Sequence, residues 1–227
     1  MNSTEPYTKN VIIVDDHPMT VDSYVALLSS MATNSDTVFH LAYDGENAYD
    51  LLKKMRKAGT NPDIAFLDVN LPPYPEKNID SGVDIGTLIR KYFPTCKIVF
   101  ITMHKEPVWV NRIFKSLNPE GFISKNEINY RTFPEVYQKI LEGEFYYSAS
   151  ITESQRFFIQ KNIDWDEYDS KILLLIAEGK KTVNLPEYIG LSLSTIEKRK
   201  ANIKKQLIFE GGSDQELIEI AKKLGLV

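Results

Sequence analysis

The sequence predicts an α/β doubly wound (βα)5 unit followed by a small all-α helix-turn-helix unit, and three observations carry that prediction. Short apolar runs, each followed by a polar or charged side chain, recur at Val11-Ile12-Ile13-Val14, Ile64-Ala65-Phe66-Leu67, Ile98-Val99-Phe100-Ile101 and Gly121-Phe122-Ile123-Ser124. Runs of this length without alternation read as strands buried on both faces of a parallel sheet. Helical patterns alternate with them, as right-handed crossovers require. From Trp165 onward the composition changes, and two helices joined by a tight glycine-containing turn replace the strands.

The elements follow in order. After a polar tail, a strand at 10–14 leads through the His17-Pro18 turn into a helix from Met19 to about Met31, with Val21, Tyr24, Leu27 and Leu28 on one face. A second strand, Val38 to Tyr43, passes through Asp44-Gly45 into a helix near 46–57 bearing Ala48, Tyr49, Leu51, Leu52 and Met55. The strand at 64–67 is followed by segments at 83–92, 97–101, 107–117, 121–124 and 133–141, which completes five βα units. The prolines and polar residues of 73–81 suit a surface loop without an element of its own. Residues 1–145 then form the first domain, and 146–164 a linker in which 151–162 is helical and can pack Phe157, Phe158 and Ile159.

The second domain, 165–227, opens with a helix from Asp166 to Glu178 carrying Ile172, Leu173, Leu175 and Ile176 and stopped by Gly179. A helix around Pro186-Glu187-Tyr188-Ile189 closes at Gly190; it starts late and is short, because proline fits only a helix's first turn. A longer helix opens at Leu191-Ser192-Leu193-Ser194-Thr195-Ile196 and runs to about Ile208. The last, Asp214 to Leu224, has a possible capping box in Ser213 and Glu216 and shows Leu217, Ile218, Ala221 and Leu224.

Composition narrows the function classes. A 227-residue chain with 43% hydrophobic and 26% charged residues is that of a folded protein. No apolar run approaches membrane-spanning length, and the start Met-Asn-Ser-Thr-Glu-Pro lacks a signal peptide's apolar core, so the expectation is cytoplasmic with no membrane partner. The single Cys96 cannot form an internal disulfide, and His17, His40 and His104 show no metal-finger spacing. The net charge of −4 hides an asymmetry: residues 170–209 carry eight basic and three acidic side chains, a local +5. Such an excess is the electrostatic footprint of a nucleic-acid reader, although basic helices are also commonly just solvated.

Strands of one parallel sheet place their carboxyl ends side by side, where open α/β sheets bind ligands. Here that edge would gather Asp15 and Asp16, Asp68, Thr102 and Lys125. Crowded carboxylates invite a divalent cation, while a hydroxyl and an ammonium suit a phosphoryl group. The marks Val-Asp-Asp-His-Pro at 14–18, Leu-Asp-Val-Asn-Leu-Pro at 67–72, Thr102 after its strand and Lys125 after Gly-Phe-Ile-Ser resemble, in order, those of a response-regulator receiver domain, whose fold is flavodoxin-like. The resemblance implies that Asp68 accepts a phosphoryl group from a sensor histidine kinase. It implies Mg2+ held by Asp16 and Asp68 directly, by Asp15 largely through water and by the carbonyl of Asn70. Lys125 would pair with one phosphoryl oxygen and Thr102 would hydrogen-bond another. Phe122 stands where the family places an aromatic that turns inward with the hydroxyl, or is a plain core residue. Asn70 and His104, two residues beyond Asp68 and Thr102, would flank the approach of hydrolytic water. This chain departs from the family in its longer 73–81 segment, which could contact the kinase, shield the phosphoryl group or be a tolerated insertion, and in Lys125-Asn126, where a trans bond is expected in place of a cis proline.

The stretch Ile172–Gly179 together with Leu191–Glu197 resembles the LuxR-type domain of NarL/FixJ regulators, and this pairing of domains is itself a family architecture. Within the recognition helix, Ile196, Ile203 and Leu207 form the core stripe, leaving Glu197, Lys198, Ala201, Asn202 and Lys205 opposite. By resemblance, Glu197, Lys198 and Ala201 face base edges, and Thr195, Arg199 and Lys205 face phosphate. If Ser194 rather than Ser192 caps the helix, Glu197 instead closes a capping box. The apolar face of the last helix is where the family dimerises, so a homodimer is implied. The expected function is a DNA-binding transcription regulator under phosphorylation control. The alternative is a receiver that controls a protein-interaction module. A phosphatase of the haloacid-dehalogenase kind usually carries an acid two residues beyond its nucleophile, and Asn70 occupies that place, so no enzyme is expected.

Overall fold

The computed structural model describes residues 8–31, 36–208 and 212–227, and the polar start at 1–6 lies outside them. Two compact units emerge. One comprises Met1–Met103 and Pro119–Ser148, the other His104–Asn118 and Ala149–Val227.

In the first unit the elements are β1 (Lys9–Val14), α1 (Pro18–Ser29), β2 (Thr37–Ala42), α2 (Gly45–Ala58), β3 (Ile64–Leu67), α3 (Gly82–Tyr92) and β4 (Lys97–Thr102). The helix that follows, α4 (Pro107–Leu117), belongs to the second unit, after which β5 (Gly121–Ser124), α5 (Thr132–Leu141) and β6 (Tyr146–Tyr147) complete the first. The sheet is parallel throughout, in the order β2-β1-β3-β4-β5-β6. Strand order reverses between β1 and β3, which makes their carboxyl ends the topological switch point. Register sets Val14 beside Leu67, Leu67 beside Phe100 and Thr102 beside Ser124, so the polar endings fall in a row. All four residues of β3 are buried, as expected for a strand covered on both faces. On one face the rings of Tyr24, Phe133 and Phe66 pack at 4.5 and 5.0 Å and join α1 and α5 to the sheet.

Two expectations are corrected here. Tyr146–Tyr147 does not begin an unpatterned linker but adds a sixth strand beside β5, held further by Ser148 N–H donating to the Phe122 carbonyl at 3.1 Å. The 73–81 segment does contain structure of its own. Pro75–Lys77 form a 3-10 turn, Tyr74 and Ile79 pair as an isolated antiparallel bridge, and Ile79 is buried. The described residues contain no cis peptide, so Lys125–Asn126 is trans. Among them, no helix is long and apolar enough to cross a membrane.

The second unit contains α4, α6 (Ala149–Gln160), α7 (Glu167–Ala177), α8 (Leu185–Ile189), α9 (Leu193–Leu207) and α10 (Asp214–Lys223). Its core joins Val108, Trp165, the run Ile172–Ile176, Leu185, Ile196, Ile203, Leu217 and Ala221. Asp166 caps α7 through a capping box with Asp169. Helix α8 is short, with Pro186 in its first turn and Gly190 at φ 72° making the tight turn to α9. The apolar face of α10 differs from the expectation that it is exposed, because Leu217 and Ala221 are fully buried in the unit's own core, while Leu224 remains exposed.

Candidate functional site

At the switch point, β1 delivers Asp15 and Asp16 and β3 delivers Asp68. Asp15 and Asp68 are only 2% and 5% exposed, a costly state for carboxylates unless something compensates. Lys125, following β5, reaches both: its Nζ lies 2.6 Å from Asp68 Oδ2 and 2.8 Å from Asp15 Oδ2. The backbone positions this lysine, since its N–H donates to the Thr102 carbonyl at 2.8 Å and so ties the fully buried Thr102 to the cation. Burial raises the Asp68 pKa, with Asp15 adding to the effect and Lys125 opposing it. Burial works against the Lys125 ammonium, yet its hydrogen bonds to Asp15 and Asp68 prevail and its pKa is raised.

Ligand atoms of Asp15, Asp16, His17 and Asp68 all lie within 4.8 Å of one another. The three carboxylates of this group supply the oxygen donors that a hard divalent cation takes. His17 escaped sequence reasoning as a member of this group: its Nδ1 stands 2.7 Å from Asp16 Oδ1 and 3.2 Å from Asp15 Oδ1. Asn70 donates its N–H to Asp68 Oδ1 at 3.3 Å. Gly82 was also missed. A Cβ there would lie 1.8 Å from the Asp68 carbonyl oxygen, so only glycine lets α3 start against the acidic loop. Its one visible mark is a glycine at the start of a helix.

Phe122 is fully buried, its ring 5.9 Å from that of Phe100. The His104 ring is half-buried. It stacks on Trp109 with centroids 5.1 Å apart and its Nδ1 lies 3.1 Å from Glu106 Oε2. That hydrogen bond holds the Glu106 carboxyl below its usual range.

In the second unit, α9 is capped by Ser192, whose hydroxyl accepts from Thr195 N–H. The capping box on Ser194 does not form, which leaves the exposed Glu197 side chain without that task. Ser194, Glu197, Lys198, Ala201, Asn202 and Lys205 are exposed, while Thr195, Arg199 and Lys200 are half-buried. Not every cation is available to a ligand. Arg199 Nη1 lies 2.9 Å from Asp166 Oδ2 and 2.9 Å from Asp169 Oδ1. Lys200 and Lys204 reach the two oxygens of Asp214 at 2.9 and 2.8 Å.

The family described as the response regulator receiver domain matches residues 11–132. The oxygen regulatory protein NreC of Staphylococcus epidermidis is 27% identical over 230 residues, covering 96% of this chain and 98% of that protein. Among solved structures, RcsB from Salmonella enterica serovar Typhimurium, bound to promoter rprA in the presence of the phosphomimetic BeF3−, aligns with a TM-score of 0.67 at 19% identity, covering 95% of this chain and 99% of that one. A structure of two RcsB dimers bound to two parallel DNAs aligns with a TM-score of 0.58 at 20% identity, over 96% of this chain and 100% of that one.

Proposed function

Because the chain belongs to the response regulator receiver domain family, we propose that it is a cytoplasmic, DNA-binding transcription regulator that Asp68 switches by accepting a phosphoryl group from a sensor histidine kinase. One observation carries the reading: a half-buried lysine, Lys125, bridges two buried carboxylates at the switch point of a parallel sheet.

A carboxylate oxygen of Asp68 attacks phosphorus, the bond from phosphorus to the donor imidazole nitrogen breaks, and an acyl phosphate forms. The departing nitrogen keeps the electron pair. Mg2+, held by Asp15, Asp16 and Asp68 with the Asn70 carbonyl, would supply charge neutralisation for the incoming anion. Lys125 has three donors on a flexible stem, so it can keep Asp15 while turning to a phosphoryl oxygen. Thr102 would offer its hydroxyl to another. The product adds about −1.5 to −2 charges beside Asp15 and Asp16, which is why the reaction needs the cation.

For the output, the exposed row of α9 supports base contacts by Glu197, Lys198, Ala201 and Asn202, with Ser194, Thr195 and Lys205 toward phosphate. Arg199 would act on DNA only indirectly, by fixing α9 against the start of α7. The DNA and dimer seen with RcsB support DNA and a second copy of this chain as partners. No enzymatic turnover is assigned, since Asn70 cannot take a proton from water.

Intact mass after incubation with acetyl phosphate tests the acceptor. One phosphoryl group should add in the presence of Mg2+, and incorporation that survives Asp68→Asn or chelation rules the reading out. Binding to duplex DNA at two salt concentrations tests the output. Affinity should fall steeply as salt rises, and a flat response points to a protein-binding module.

A further inference from the structure

Lys125 opens a tight turn that leaves β5, and within the first unit this turn is held from two sides. On one side the Lys125 N–H donates to the Thr102 carbonyl. On the other stands Ser148, the residue that follows β6. Its N–H donates to the Phe122 carbonyl, and because β6 ends at Tyr147, the Ser148 hydroxyl takes over as acceptor for the Ser124 N–H, at 3.1 Å. The same hydroxyl donates to Glu127 Oε1 at 3.3 Å, so it accepts and donates at once, as a serine can. The Glu127 N–H closes the turn on the Ser124 carbonyl at 2.9 Å. One hydroxyl therefore grips the turn 124–127 at both of its ends. Ser124 and Ser148 are 1% and 2% exposed, too buried for solvent to stand in for that hydroxyl.

We propose that Ser148 is a positioning residue for Lys125: its hydroxyl clamps the turn 124–127 and so aims the ammonium at the place a phosphoryl oxygen on Asp68 will occupy. The proposal rests on the roles given above to Asp68 and Lys125. Asn126 lacks the fixed φ that a proline would bring, so the turn is stiffened from outside. The lysine stem is flexible, and where its backbone starts limits where its ammonium can go. Without the hydroxyl the buried Ser124 N–H loses its acceptor, the end of β5 shifts to find another, and Lys125 is the next residue along. The carboxylates offered to Mg2+ follow β1 and β3 and are not carried on this turn. Loss of the clamp therefore weakens the hold on an anion and spares the cation, whereas a general loosening of the fold weakens both.

The test is a pair of titrations on the full chain: Mg2+ alone by calorimetry, and beryllium fluoride in saturating Mg2+ by the fluorine resonance of the bound mimic. Ser148→Ala should bind the mimic about tenfold more weakly, as a small misplacement of a contacting group can cause, with Mg2+ affinity kept. Ser148→Thr retains the hydroxyl and should recover the mimic. Parallel losses of Mg2+ and mimic in Ser148→Ala mean a merely structural serine and overturn the proposal, as does mimic binding equal to wild type. If Ser148→Ala does not fold, Glu127→Leu and Glu127→Gln carry the test, since both are uncharged and only glutamine keeps an acceptor oxygen. The leucine variant should then bind the mimic more weakly than the glutamine variant, and equal affinities overturn the proposal. Failure of the wild-type protein to take the mimic brings down the acceptor reading, and this proposal with it.

Discussion

Lys125 and Arg199 are each held between two carboxylates, one in each unit, and the two arrangements differ in what they allow. Lys125 between Asp15 and Asp68 is a point charge on a flexible stem, gripping carboxylates that are 3% and 5% exposed in their side chains. Arg199 between Asp166 and Asp169 is a planar fork at the edge of the helical core, with one partner 46% exposed. A lysine can exchange one oxygen for another without rebuilding its surroundings, whereas a guanidinium lined up with two acids is best left alone. The first arrangement holds charge in a form that can be reassigned to a phosphoryl group. The second holds two helices in register. Similar geometry therefore does not mean similar function, and burial with side-chain type separates them.

Removing each cation should break the comparison most visibly. Lys125→Met leaves two buried acids facing each other, and we expect a loss of about 3 kcal/mol in denaturant unfolding with chelator present. Mg2+ should restore more stability to this variant than to the wild type, and an equal response would end the charge-relief account. Arg199→Ala should cost about 1.5 kcal/mol, since its bonds are charge-assisted but partly solvated. Phosphoryl incorporation at Asp68 should be unaffected by it.

The pH response sharpens the contrast between the acidic edge and the helical unit, because Asp68 and Asp214 shift in opposite directions. Asp214 loses some hydration, but the ammoniums of Lys204 and Lys200 outweigh this and hold its carboxyl below the usual range. Its contribution is thus present above the unfolded value of about 4 and is lost as pH falls through the lower folded value. Asp68 is raised by burial, so without a cation the folded state takes up its proton first and is favoured as pH falls through that higher value. Thermal melts across acid pH should show Asp214→Asn flattening a loss of stability on the acid side. Asp68→Asn should raise stability at neutral pH in chelator. The smallest effect concerns DNA. Lys205→Ala should lower the salt slope by about one unit on every sequence, whereas Lys198→Ala should also change the preferred sequence.

Much of this was readable from residue order. Strands buried on both faces announce themselves as unbroken apolar runs, and a parallel sheet then dictates that Asp15, Asp68, Thr102 and Lys125 share an edge. Strand β6 was not readable, since Tyr146–Tyr147 is too short to have a period and is defined only by pairing with β5. The membership of α4 was hidden for another reason. Its apolar spacing says that Val108 and Ile113 are buried, but not which neighbours bury them. Ser192 and Ser194 both satisfied the capping rule, and only the hydrogen bond to Thr195 N–H decided between them. Gly82 was legible as a glycine but not as a contact, because the Asp68 carbonyl against it comes from a distant residue.

The bridge between Tyr74 and Ile79 makes the 73–81 segment a convenient place to attach a reporter. Tyr74 N–H donates to the Ile79 carbonyl at 2.7 Å and Ile79 N–H returns a bond at 3.2 Å, so the tip at 75–78 hangs from a closed ring. The ring is anchored beneath by buried Ile79, which sits 3.1 Å from where a Cβ on Gly45 would lie, and by Lys77 over the Tyr49 ring at 5.8 Å. Lengthening a tip on such a ring costs only about 0.6 kcal/mol per doubling. A small fluorescent tag inserted between Glu76 and Lys77 would stand beside the acidic edge while leaving the bridge and Ile79 in place, turning each arrival of a donor protein into a readable optical signal.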